Sequence, residues 1–250
     1  MKFFSKPLAA SCAALMLSTV AAVPAAHAEL TALAGVASGY YWRGLQVSSG
    51  AQVWGELTYT TDMGFYGDLW ASSEGFGVGP EYDLSAGWAG KLGDLGINVG
   101  AVTYVYAMDP YMQNCSGPLC LDDNDPGDFS DVYVKLSYGP AFVNIYHNIA
   151  LMQGQDFINA GFTYDKFTFA VGYQKFEDEA QLVAGGYSVP PVDEVDYTYA
   201  EVTYAATKNL SIIVSGIIDD NGDLQYVGVP AKADTNRTKV IVSYSLPIDM

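Results

Sequence analysis

The feature that most constrains this chain is a two-beat rhythm running from about residue 30 to the end. About twelve stretches of alternating apolar and polar residues are joined by connections that are alternately long and short. The short ones are Thr61-Asp62-Met63-Gly64, Gly90 to Gly96, Gly139-Pro140, Asp165-Lys166 and Thr207-Lys208-Asn209. The long ones fall near 43–51, 72–80, 108–130, 151–156, 175–194 and 218–237. Side chains of a strand alternate between its faces, so each stretch supplies one apolar and one polar face. Tight turns on one rim and longer loops on the other are the layout of an up-and-down barrel in a bacterial outer membrane. The rhythm therefore predicts an all-β, antiparallel, transmembrane barrel of about twelve strands, with ten and fourteen as the alternatives.

The placement of aromatic residues separates this reading from a soluble sandwich, which also alternates. Tyr59, Phe65, Trp88, Tyr138, Tyr164, Phe167 and Tyr204 all sit beside a short turn on the apolar face, and Tyr244 holds the equivalent place near the chain end. Rings with an apolar body and a polar edge settle where hydrocarbon meets headgroups. These eight residues are expected to form one girdle at the membrane interface. Tyr40 and Trp42 are the candidates for the opposite girdle, which places Arg43 on the inward parity of the first strand.

Residues 1–28 read as a secretory signal: Lys2 and Lys6 form the basic start, Leu8 to Val23 the apolar run, and Ala26-His27-Ala28 the cleavage site. Residues 29–250 then form a single barrel domain. No later stretch approaches the ~20 apolar residues of a membrane helix. The formal charge of −17 becomes −19 once Lys2 and Lys6 are removed, which excludes nucleic acid as a partner. Cys115 and Cys120 both fall in the longest loop, and an oxidising envelope would join them as a disulfide. Beyond them only His147 offers a soft ligand after residue 28, so no metal or cofactor is expected. Asp219-Asp220-Asn221-Gly222-Asp223 and Asp122-Asp123-Asn124-Asp125 resemble calcium loops but lack the EF-hand spacing and its final Glu. They read as solvated loop tips.

Charges on the polar parity carry the functional signal. Glu56, Asp68, Glu81, Asp83, Asp131, Lys135, Glu201 and Lys239 all oppose the apolar face, and a charge aimed at lipid costs several kcal/mol near mid-membrane. With Arg43 they are expected to line the lumen, where Arg43 would pair with Glu56 or Asp68. The bulky Tyr66, Trp70, Tyr104, Tyr106, Tyr133 and Tyr146 share that side and would narrow the passage. No G-x-S-x-G or G-H-x-S-N-G pattern occurs, and His147 falls on the lipid-facing parity, so an enzyme is not expected.

Ser38-Gly39-Tyr40-Tyr41-Trp42-Arg43-Gly44-Leu45-Gln46-Val47-Ser48 is similar to the S-x-Y-x-x-R-G-x-S-x-S opening of the TorF-type porin family of proteobacterial outer-membrane proteins, with Gln46 where that family usually has Ser. Gly64 to Ser73, Glu81 to Trp88, Gly100 to Tyr106 and Asp131 to Gly139 resemble it further. The resemblance implies an outer-membrane barrel with pore activity, and no catalytic residues. The chain departs from common barrels in ending Ser245-Leu246-Pro247-Ile248-Asp249-Met250 instead of on an aromatic.

The expected function is an outer-membrane porin or channel for ions or small hydrophilic solutes, weakly cation-preferring, in contact with lipid and lipopolysaccharide. The alternative is a closed structural or adhesive barrel that binds partners through its external loops. Twelve strands lie between barrels that side chains fill and those that leave a wide channel, so both expectations stand on the same wall.

Overall fold

The computed structural model describes residues 28–48, 50–75, 79–106, 129–150, 155–176, 195–220 and 238–249. Twelve antiparallel strands close into one barrel. They are β1 (Glu29–Ala37), β4 (Gln52–Thr60), β5 (Phe65–Ser72), β6 (Glu81–Leu92), β7 (Leu95–Tyr106), β8 (Phe129–Tyr138), β9 (Ala141–Asn148), β10 (Asp156–Tyr164), β11 (Phe167–Phe176), β12 (Val195–Ala205), β13 (Leu210–Asp220) and β14 (Lys239–Ile248). Each strand pairs with its sequence neighbour, and β1 closes the ring by pairing with β14 on one side and β4 on the other. Closure pairs each described barrel strand on both sides, so the barrel itself has no edge strand. No helix occurs among the described residues.

The alternation in sequence becomes an inside and an outside. Leu57, Leu69, Leu84, Val99, Val132, Val134, Ile145, Ile158, Val171, Val214, Val240 and Val242 are exposed on the outer wall. Their strand neighbours Asn98, Asp131, Lys135, Asn144, Asn159, Gln174, Ser211, Ser215 and Ser243 are buried inside. The apolar surface thus faces out and the polar surface in, the inverse of a soluble barrel and the arrangement of a strand wall set in lipid.

The two rims differ as the rhythm requires. Turns at 61–64, 93–94, 139–140, 165–166 and 206–209 lie on one rim, together with the start of β1 and the end of β14. Around it Tyr59, Phe65, Tyr138, Tyr164, Phe167 and Tyr244 are exposed on the outer wall, with Trp88 and Tyr204 half-buried among them. Phe167 stacks on Tyr204 with centroids 5.0 Å apart, and the Trp88 indole N–H donates to the Met63 carbonyl at 2.9 Å.

One element lies outside the barrel order. After Ala37 the chain leaves the wall and forms a hairpin of β2 (Tyr40–Trp42) and β3 (Leu45–Ser48), which pair only with each other. It springs from the long-loop rim and folds into the barrel: Tyr40, Tyr41, Trp42, Arg43 and Leu45 are all 7% exposed or less. Tyr40 and Trp42 are therefore not an outer girdle. The parity count carried the first strand through to Trp42, but β1 ends at Ala37, and both faces of the hairpin are covered by the barrel's inner wall, so its alternation carries no inside–outside meaning.

Candidate functional site

The hairpin tongue crosses the lumen and meets both walls. On one side Tyr41 packs with Ala37, Ile213 and Ile241, and its hydroxyl bonds the Ser215 hydroxyl. On the other Leu45 joins a cluster of Val102, Tyr104, Tyr133, Tyr146, Phe157, Tyr197 and Tyr199. Tyr40 lies 5.9 Å from Trp70, and Ser48 donates to Glu74 at 2.9 Å. The tongue thereby sits within the lumen against the inner wall.

At its tip, Arg43 and Gly44 form a two-residue turn with φ of 44° and 91°. Tight hairpins take positive φ at both central positions, which favours Asn-Gly or Gly-Gly. An arginine there costs on the order of 1 kcal/mol of backbone strain, so its side chain must supply what Asn would not. The guanidinium donates to the Asp131 carboxylate at 2.6 Å, to Gln174 Oε1 at 3.2 Å and toward the Tyr104 hydroxyl at 3.4 Å. Its central carbon lies 4.4 Å from the Trp42 ring, 4.8 Å from Tyr146 and 4.7 Å from Phe157. The side chains of Arg43 and Asp131 are each 2% exposed, so the cost of taking both charges out of water is offset only because every partner is in place.

Those partners are themselves held. Asn148 donates to the second Asp131 oxygen at 2.9 Å, and Tyr104 donates to the first at 3.1 Å. Gln174 spends its amide hydrogens on the Asp156 and Lys175 carbonyls at 3.0 and 3.1 Å, which fixes its oxygen toward Arg43. The Tyr197 hydroxyl donates to the Arg43 carbonyl at 2.8 Å. A Cβ on Gly44 would stand 2.6 Å from the Tyr199 ring, and one on Gly172 would stand 2.2 Å from it, so that ring is sandwiched where only two glycines permit it. Six consecutive strands, β7 to β12, thus each contribute at least one residue to the seat of the tongue.

Of the nine charges singled out in the sequence, Arg43 is on the tongue and Glu81, Asp83, Asp131 and Lys135 are buried within the barrel. Arg43 pairs with Asp131, not with Glu56 or Asp68 as the strand parity implied. Glu81 and Asp83 are buried on β6 beside Tyr40. Asp68 accepts from Thr58 at 2.6 Å with Glu56 nearby, and Glu201 accepts from Thr203 at 3.2 Å. Lys135 lies over the Tyr133 ring at 4.3 Å, and Lys239 is half-buried opposite Ser215. Tyr66 reaches from β5 to the Tyr133 hydroxyl on β8 and donates to Asn98 at 2.8 Å, narrowing the wall below the tongue. His147 faces outward with Asp156, 2.7 Å away. Cys115 and Cys120 lie outside the described residues, as do residues 1–27.

Gln174, Phe157 and Tyr197, which touch Arg43, and Asn148 and Tyr199, which complete its seat, were not singled out by sequence pattern. A signal was present: large rings recur at inward positions of β9, β10 and β12, where a solvated lumen has no use for them. Among described residues, no group of three or more His, Cys, Asp or Glu side chains could hold a metal ion.

A family model described as "Bacterial protein of unknown function (Gcw_chp)" matches residues 21–118. No curated protein matches the sequence. Among solved structures, one described as "Unveiling the Mechanism Behind the in-meso Crystallization of Membrane Proteins" superposes with a TM-score of 0.52 at 11% identity, covering 90% of this chain and 85% of that one. The NanC porin gives 0.44 at 12% identity over 89% of this chain and all of that one. OprD of Pseudomonas aeruginosa gives 0.43 at 13% identity over 88% of this chain and 67% of that one. The first of these likenesses establishes a shared fold.

Proposed function

We propose that this protein is an outer-membrane channel for ions or small hydrophilic solutes, weakly cation-preferring, exported by a leader at residues 1–28. The observation that carries the proposal is the inverted wall: an apolar sleeve outside, and buried polar and charged side chains interspersed with aromatic rings within a closed twelve-strand barrel. Lipid explains the sleeve, and solvated solute explains the lining. The resemblance to TorF-type porins supports the same reading, with lipid and lipopolysaccharide as the surroundings and the eight turn-side aromatics as interface anchors. A Cys115–Cys120 disulfide would stiffen the loop between β7 and β8.

The preference follows from charge. Glu56, Asp68, Glu81, Asp83, Asp131 and Glu201 oppose Arg43, Lys135 and Lys239 on the lining, and low-dielectric walls focus such an imbalance into a field that salt only partly screens. Reversal potentials across a bilayer in a potassium chloride gradient test it. We expect a cation-selective sign that weakens when Asp68 and Asp83 are both replaced by Asn; an anion-selective wild type would overturn the assignment.

The buried tongue favours a second reading, a closed barrel that binds partners through its long loops. Removing residues 40–48 separates the two, since a channel plugged only by the tongue gains conductance and a closed barrel does not.

A further inference from the structure

The seat of the tongue has the chemistry of a cation receptor independent of the arginine that fills it. Without the tongue, the wall still presents the Asp131 carboxylate from β8, the Gln174 oxygen from β11, the Tyr104 hydroxyl from β7, and the faces of Tyr146 from β9 and Phe157 from β10. A carboxylate and an amide oxygen accept the planar fork of a guanidinium, while the rings above it offer their negative faces to delocalised charge. The acceptors are fixed by Asn148 and by the Asp156 and Lys175 carbonyls, so the arrangement is organised by the wall itself. A buried carboxylate without a cation would be costly. The tongue meets that demand with a residue ill-suited to its turn.

We propose that this seat is a recognition site for solutes of the guanidinium class, which Arg43 occupies as a tethered ligand, and that a free solute of that class displacing Arg43 releases the tongue. The release rests on the channel reading above; the recognition site does not. A small, compact cation such as sodium gains little from the rings and does not match the fork, so it should not compete.

Arg43→Ala removes the tethered ligand and leaves a ring-walled space of about its size, and a cavity left by truncation can accept the missing group from solution. The probe is methylguanidinium, followed by saturation-transfer NMR on the folded protein in micelles. We expect clear transfer with R43A, and signal lower by about tenfold with the wild type and with R43A combined with Asp131→Asn. In bilayers R43A should conduct more than wild type, and methylguanidinium should raise the wild-type current where equal sodium does not; no rise overturns the release. Absence of transfer to R43A, or equal transfer with and without Asp131, overturns the site. Should a tongue-deleted barrel carry no current, the channel reading fails while the NMR comparison still decides the site. If R43A does not fold, Arg43→Gln, which keeps the stem and loses the charge, takes its place in both measurements.

Discussion

Arg43 and Asp131 show how a buried charge can fix the position of a whole segment. Two ions out of water are tolerable only when the remaining donors and acceptors are satisfied, and here Tyr104, Asn148 and Gln174 do that. Removing one partner leaves the other stranded, a loss of about 3–5 kcal/mol in comparable sites. The tongue has a cheaper exit than barrel unfolding, because it can swing toward water and carry Arg43 with it. Asp131→Ala is therefore expected to undock the tongue while the barrel stays folded. Tryptophan emission should shift to the red as Trp42 is exposed, and replacing both residues by apolar ones (Arg43→Met with Asp131→Leu) should shift it less.

At the scale of elements, the wall and the tongue are stabilised separately. The β1–β4 ladder runs from Glu29 opposite Thr60 to Ala37 opposite Gln52, and β1 meets β14 from Ala32 to Ala37, all without the hairpin. Strand faces, in contrast, answer to the solvent on each side. Val134 is exposed at the middle of β8, and Lys135 beside it is buried inside. Val134→Lys should cost about 2–4 kcal/mol of stability in vesicles, the range for a lysine facing the bilayer midplane. Val134→Thr should cost much less. Urea titrations of the refolded protein check both, and equal costs would mean that this face does not meet hydrocarbon.

For the molecule as a whole, the even strand number returns the chain to the rim it started from, the rim with the tight turns. If the long-loop rim faces outward, an epitope inserted at Asp125 (between β7 and β8) or at Ala184 (between β11 and β12) should bind antibody on intact cells. One at Lys166, in the tight turn between β10 and β11, should bind only after the outer membrane is opened. Labelling at Lys166 on intact cells would reverse the orientation, and with it the side from which a solute reaches the tongue.

The sequence by itself determined the wall. Side-chain direction in a strand follows from a period of two, and hydrophobicity differs sharply between its faces, so local pattern alone separates Val132 and Val134 from Asp131 and Lys135. Strand order followed too, because tight turns force pairing across one rim and the alternating long loops complete an up-and-down layout. Only the tertiary structure decided what occupies the lumen. Tyr40 and Trp42 share one face by strand parity, yet Tyr40–Trp42 pair with Leu45–Ser48 in a hairpin, and Arg43 finds Asp131 from 88 positions away. That choice depends on a concave surface that exists only after twelve strands have closed, built from β7 to β12 at separations no local pattern records. The same surface turned Tyr40 and Trp42 from expected membrane anchors into the interior of a plug.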